Sequence, residues 1–216
     1  MIDKHLLRHL SKKYPDVKSA TEEIVNLSAI LSLPKGTEYF LSDLHGEHEA
    51  FIHMLKSASG VIRAKIEEIF GPDLNREERD ELAALVYNAD AEIKRRKKSE
   101  ADFKKWCKIS ILRLILICKS VSTKYTRSKV RKRLPKEYAY IIDELLHADD
   151  EANKGNYYGQ IINSIVESDV AEDFMIQLTN AISSLAVDRL HIIGDMWDRG
   201  AHPDTIMDFL LDFHDI

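Results

Sequence analysis

The sequence predicts an α/β protein in which a long helical block is set between two strands, and three observations predict it. Two short stretches, "TEYFLSD" (37–43) and "DRLHIIGD" (188–195), read as strands. Each runs into a charged loop and then into a segment with helical spacing of its apolar residues. Almost everything between them, from about residue 56 to 187, carries helical spacing as well. Strands that alternate with helices argue for an α/β core, and the helical block reads as an insertion into it.

Taken in order, residues 2–13 and 18–33 are expected as helices. In the second, Ile24, Leu27, Ile30 and Leu31 line one face, and Ser19 or Thr21 is placed to cap it ahead of Glu22 and Glu23. Pro34 and Gly36 in "LPKGT" end that helix before the first strand. After the polar loop "DLHGEHE" the spacing predicts one helix from Glu49 to about Phe70, stopped by "GP" at 71–72. Further helices follow at about 75–98, 100–121, 135–148, 156–168 and 170–187. The second strand ends in "GDMWDRG", and Pro203 to Phe213 reads as the helix behind it, with "HDI" at 214–216 as the start of a third strand.

With 216 residues the chain can bury a core of its own, and its 44% hydrophobic and 31% charged content is that of a globular protein. A net charge of −5 gives no global field toward nucleic acid or an anionic membrane. The basic runs "KRRKK" (94–98) and "KVRKR" (129–133) are local exceptions, read as solvated helix faces. Cys107 and Cys118 form neither a disulfide framework nor a zinc spacing. The N-terminus has no signal-peptide apolar core, and the longest apolar run, "ISILRLILIC" (109–118), is too short to span a bilayer and carries Arg113. A cytoplasmic protein is expected, with "ISILRLILIC" as a buried helix.

The chemistry lies in the two loops, because ligands of an α/β core bind at the carboxyl ends of its strands. Asp43 and His45 alternate just past an extended segment, so both can point to one side. Asp195 sits one turn from Asp198 and Arg199. Carboxylates with an imidazole suit borderline divalent metals better than calcium. Asp195 has two oxygens with which to bridge a pair of ions. Arg199 offers a planar fork of donors that matches a phosphate. D-x-H alone is a weak signal, whereas G-D-x-x-D-R-G fixes five positions and arises by chance on the order of 10⁻⁴ times per chain of this length. The competing reading of the aspartates is helix capping, and that of Asp198 with Arg199 is a surface ion pair. His48 and His53 are expected at the surface or in packing, Met196 and Trp197 in packing, and Glu47 and Glu49 at the positive end of a helix. His202, beside the second loop, has only its position to suggest a phosphate contact.

"SDLHG" and "GDMWDRG" resemble the first two motifs of the calcineurin-like metallophosphoesterases. The wider stretches, "YFLSDLHGEHEAFIHMLKSASGVIRAKIEEIFG" and "LHIIGDMWDRGAHPDTIMDFL", are similar to class III fructose-1,6-bisphosphatases of the Firmicutes type. The separation of Asp43 from Asp195 by 152 positions supports that choice, since the Ser/Thr phosphatases of the superfamily place these motifs much closer together. The resemblance implies an αββα sandwich that begins at 1–55, is interrupted by a helical insertion at 56–187 and resumes at 188–216. It implies that Asp43, His45 and Asp195 hold a dinuclear divalent metal site, most plausibly manganese, with Asp195 bridging. Asp198 would orient a catalytic histidine, and Arg199 would bind the phosphate. The implied activity is hydrolysis of fructose 1,6-bisphosphate in gluconeogenesis, with a sugar bisphosphate as partner, no nucleic acid or membrane, and room for a homo-oligomer. The family's next motif, G-N-H-D or G-N-H-E, falls past Ile216, so this chain is expected to be the N-terminal portion of a longer enzyme and inactive alone. Two other readings stay open: another metallophosphoesterase acting on a phosphoprotein or dinucleotide, and a helical binding module with an incomplete metal site.

Overall fold

The computed structural model describes residues 3–148 and 155–212. The chain divides into two compact units, residues 1–35 and 36–216. The first holds two helices, α1 (Lys4–Lys13) and α2 (Val17–Leu31). Asp16 caps α2 by accepting from the Ser19 backbone N–H at 2.8 Å, and the Ser19 side chain closes a capping box. Ser19 is therefore the third residue inside the helix, not its cap. The apolar face of α2 is exposed, from Ile24 through Leu31.

The second unit opens with β1 (Glu38–Ser42), which pairs in parallel with β2 (Arg189–Ile193), Glu38 opposite Arg189 and Ser42 opposite Ile193. Between them run α3 (His48–Ser57), α4 (Val61–Phe70), α5 (Arg76–Tyr87), α6 (Ala89–Ser99), α7 (Phe103–Ser122), α8 (Arg127–Arg133), α9 (Ala139–Leu146), α10 (Gly155–Glu167) and α11 (Ala171–Ala186). After β2 comes α12 (Pro203–Asp212). An α/β protein that is mostly helix is what the alternation of patterns predicts. The third strand expected at 214–216 lies outside the described residues.

Two expected helices are each broken in two. The one from 49 to 70 stops where Ala58 turns left-handed at φ 44° and Gly60 at φ 94°, with a short 3₁₀ turn between α3 and α4. The one from 75 to 98 is interrupted at Asn88, whose φ of −147° leaves the helical region between α5 and α6. Both corners keep the apolar period nearly in phase, which is why spacing alone runs through them. The loss of one helical residue costs little when Phe70, Leu82, Val86 and Ile93 all enter the same core.

α7 is the axis of that core. It buries Cys107, Ile111, Leu114, Ile117, Cys118 and Val121 toward α11, α4, α9 and α10. Its opposite face leaves Ile109, Leu112 and Leu116 exposed, so the apolar run is buried on one side only. The basic run on α6 is tied into ion pairs, among them Lys94 with Asp90 at 2.6 Å, Arg96 with Glu81, and Lys97 with Glu172. Among the described residues, no helix is long and apolar enough to cross a membrane.

One face of the sheet rests on a smaller apolar cluster, in which Leu41, Leu44, Phe51 of α3 and Ile206 of α12 are buried and Leu190 and Ile192 pack against them. The other end of the strands is gripped by the corner after α7. No basic residue occupies the last turn of α11, so the carbonyls at that negative helix end are met from outside. Lys124 Nζ donates to Ala186 O at 2.9 Å and to Thr37 Oγ1 at 3.0 Å, and Arg133 Nη1 donates to Ser184 O at 3.1 Å. The backbone N–H groups of Asp188 and Arg189 both donate to Thr37 O. The helical block thereby sets where both strands begin. Burial pushes the Lys124 ammonium down to about 8, with Arg133 and Lys129 adding to the effect against the pull of Asp188.

A lysine with a lowered folded pKa binds fewer protons in the folded state than in the unfolded one, where its pKa is about 10.4. Stability therefore gains a contribution as pH rises from about 8 toward that value. Lys124→Met is expected to abolish this alkaline gain, seen as a flatter dependence of the urea midpoint on pH than in the wild type. Parallel pH profiles for the two proteins would show that Lys124 is not desolvated by the fold.

Candidate metal centre

The two charged loops leave the same end of the sheet side by side. Beyond Ser42 and Ile193 the strand pairing continues into the loops. Asp43 N–H donates to Ile193 O at 3.1 Å, His45 N–H to Asp195 O at 3.0 Å, and Gly46 N–H to Met196 O at 2.9 Å. His202 N–H closes back onto Gly46 O at 3.2 Å. Residues separated by 150 positions are thus held by main-chain bonds, which define position far better than exposed side-chain pairs do.

Close approach of two loop backbones needs glycine. A Cβ on Gly200 would lie 2.0 Å from His45 O and 2.5 Å from the Gly46 carbonyl carbon. A Cβ on Gly194, whose φ is +99°, would lie 2.2 Å from Asp43 Oδ1. Three site residues also hold left-handed backbone without being glycine: Asp43 at φ 45°, His45 at 47° and Arg199 at 70°. Asp and His tolerate this region better than most residues, but Arg does not. Strain of this kind persists where surrounding structure enforces it, and it gathers at functional sites.

The structure brings His45, Asp195 and Asp198 together. One ligand atom from each lies within 4.8 Å of the others, the group among the described residues that could hold a metal ion. His45 Nδ1 meets Asp198 Oδ1 at 2.7 Å. That contact holds the Asp198 carboxyl below the usual carboxylate range, with Arg199 adding to the effect. Asp43 stands next to the group in a different posture, its Oδ1 accepting from the Asp195 backbone N–H at 3.1 Å. Arg199 Nε meets Asp198 Oδ2 at 3.1 Å, and its side chain is 76% exposed.

Most of the residues singled out in the sequence therefore converge. Within these residues the histidine that Asp198 meets is His45. Sequence spacing gives no signal for that contact, because it depends on the register of two strands. Among the residues expected at the surface or in packing, His48 begins α3 half-buried, and His53 lies exposed with its ring 6.5 Å from Tyr87. Met196 packs on the cluster under the sheet, whereas Trp197 is 43% exposed and does not pack inward. Glu47 stands at the start of α3 without a side-chain cap bond, and Glu49 lies in its first turn.

The chain matches the family described as Firmicute fructose-1,6-bisphosphatase over residues 5–216. It is 52% identical over 213 residues to the fructose-1,6-bisphosphatase class 3 of Clostridium tetani (strain Massachusetts / E88), covering 98% of this chain and 32% of that protein. It is 51% identical over 211 residues to a class 3 enzyme of Clostridium beijerinckii, covering 97% of this chain and 32% of the relative. The same identity, 51% over 211 residues, holds for the class 3 enzyme of Clostridium botulinum (strain Hall), again with 97% of this chain and 32% of the relative covered. The chain thus spans about a third of the length of these curated relatives. No solved structure matches it.

Gly200→Ala is expected to force the two loops apart, since the atoms a methyl group would meet are backbone and cannot swing away. The cost of such overpacking is about 1–3 kcal/mol, read from denaturant unfolding, and affinity for a divalent ion should fall with it. A change within about 0.5 kcal/mol, the range of neutral surface substitutions, together with unaltered metal affinity, would mean that the close approach of the loops does not organise the site.

Proposed function

The chain belongs to the Firmicute fructose-1,6-bisphosphatase family, and from that premise we propose that the full-length protein hydrolyses fructose 1,6-bisphosphate to fructose 6-phosphate and phosphate in gluconeogenesis. The observation that carries this reading is the joining of an imidazole and carboxylates from two distant loops within 4.8 Å, with Arg199 at their rim. The same reading makes residues 1–55 and 188–216 part of a calcineurin-like sandwich, with 56–187 as the helical insertion. It places the enzyme in the cytoplasm, away from membranes and nucleic acid, and leaves a homo-oligomer open.

The donor set fits a borderline divalent ion such as manganese, since it mixes one ring nitrogen with carboxylate oxygens. In this proposal His45 and Asp195 hold the ion, and Asp43 completes the first loop's share. When bound, a divalent ion supplies Lewis acidity, which polarises a phosphoryl oxygen and lowers the pKa of water. Hydrolysis forms a bond from the water oxygen to phosphorus, breaks the bond from phosphorus to the sugar oxygen, and returns a proton to that oxygen.

The side chains have separable tasks. Asp198, acidic enough to stay ionised, accepts a hydrogen bond from His45 Nδ1–H and so fixes the tautomer in which Nε2 is free to ligate. Asp43 Oδ1 holds the Asp195 backbone, so the first loop positions the carboxylate that the second one contributes. Arg199 is tethered through Nε to Asp198, which leaves its terminal nitrogens for two oxygens of a phosphate. Its exposure suits a group that waits for an anionic substrate to arrive from solvent.

Two substitutions in the full-length enzyme test the assignment together. Asp195→Asn is expected to lower kcat/KM for fructose 1,6-bisphosphate by more than roughly 100-fold, beyond the effect of changing an outer-shell partner. Arg199→Lys should lower it by roughly 10–100-fold, the worth of a lost charge-assisted fork, while metal affinity holds. Near-wild-type turnover by Asp195→Asn would remove the proposed site, and wild-type turnover by Arg199→Lys would reduce Arg199 to a surface ion pair.

A further inference from the structure

We infer that Trp197 is a substrate-selecting residue, whose indole is the apolar wall against which the sugar ring lies while Arg199 takes the phosphate. The inference rests on the hydrolase reading above and adds to it the side chain that recognises the alcohol part of the ester. Two tryptophans occur in the chain, and the fold uses them differently. Trp106 packs against the helical core and stacks on Phe103 with ring centroids 5.5 Å apart. Trp197 is 43% exposed, and among the described residues its side chain has no hydrogen bond, ring contact or cation contact. Tryptophan is highly buried on average. A lone apolar side chain on an open surface needs no account, but Trp197 stands in the middle of the metal-centre loop.

Its position is fixed from both sides. Before it, Gly46 N–H donates to Met196 O at 2.9 Å, and the Met196 side chain packs on the cluster under the sheet. After it, Asp198 Oδ1 meets His45 Nδ1 at 2.7 Å, and Gly200 N–H donates back to Asp198 O at 2.9 Å. Met196 already fills the apolar place beneath the loop, so the indole has no packing task there. Trp197 is two positions from Asp195 and two from Arg199, a span of at most about 7 Å in either direction. A residue anchored so closely on both sides keeps its side chain beside the His45, Asp195 and Asp198 group. That side of the loop has to stay open for substrate to reach Arg199, whose own side chain is exposed.

The chemistry of a phosphorylated sugar agrees. Its phosphate is an anion, whereas its ring presents a face of C–H bonds edged by hydroxyl groups. Small-molecule sites join apolar and aromatic walls to a few placed polar groups. The carboxylates, the imidazole and the guanidinium of the two loops are the polar groups, and they read phosphate on any alcohol. An indole adds the apolar wall, together with one N–H that can donate to a hydroxyl. The ring touches it equally in the ground state and the transition state. Such uniform binding lowers KM and leaves kcat unchanged.

Full-length Trp197→Ala and Trp197→Phe, compared with the wild type, test this through the two products as inhibitors. Fructose 6-phosphate carries the ring and inorganic phosphate does not. In Trp197→Ala the KM for fructose 1,6-bisphosphate and the inhibition constant of fructose 6-phosphate are expected to rise about tenfold, the upper worth of one aromatic contact. The inhibition constant of inorganic phosphate, kcat and the urea midpoint should stay at their wild-type values, and Trp197→Phe should recover most of the loss. An unchanged KM and unchanged inhibition by fructose 6-phosphate would overturn the inference. So would equal weakening of both inhibitors, or a lowered urea midpoint, either of which makes Trp197 a packing residue. A wild-type enzyme without turnover of fructose 1,6-bisphosphate would fail the hydrolase reading itself and take this inference with it, a result visible before any variant is made.

Discussion

The candidate metal centre depends on the register of a pair of five-residue strands. β1 and β2 meet with Leu41 opposite Ile192 and Ser42 opposite Ile193. From there the pairing runs on into the loops, so that His45 meets Asp195 and Gly46 meets Met196 through their main chains. A slip of one residue would send each side chain of a strand to the opposite face. It would bury Ile193 in place of Ile192, and it would part His45 from Asp195 and Asp198. The cluster under the sheet guards against that slip, because Leu41, Leu190 and Ile192 find apolar partners in one register only.

A pair of strands is a weak object alone, and the helical block compensates for it. The corner after α7 supplies Lys124, and the end of α8 supplies Arg133, to carbonyls at the end of α11, and Lys124 reaches Thr37 at the entrance of β1. One set of side chains therefore fixes the starting points of both strands from the end opposite the charged loops. The block is large in sequence but acts as a clamp in space, which explains how two loops separated by 152 positions come to share hydrogen bonds. Its long core helix is buried on one side and keeps an apolar stripe at the surface on the other.

The sequence made the elements legible wherever chemistry was local. Glycines 194 and 200 flank the charges of the second loop because a side chain would strike the Asp43 carboxylate at the first and the His45–Gly46 backbone at the second, and that combination stands out in one dimension. The strands and the large helices follow from apolar period, and the capping of α2 is visible in Asp16 and Ser19 once the helix start is known. What the sequence concealed depends on distant partners. The corners at Ala58 and Asn88 keep the helical period and so leave no mark in it. The choice of His45 as the partner of Asp198, and the turning of Asp43 toward the Asp195 backbone, are consequences of strand register. No spacing within either loop encodes them.

Pairing of β1 with β2 is what would let two loops share one proposed metal site. Anomalous diffraction from manganese-soaked crystals of the full-length protein is the direct test. Manganese density is expected to touch His45 of the first loop and Asp195 of the second at the same time. Density confined to residues of one loop, or placed away from both, would contradict it.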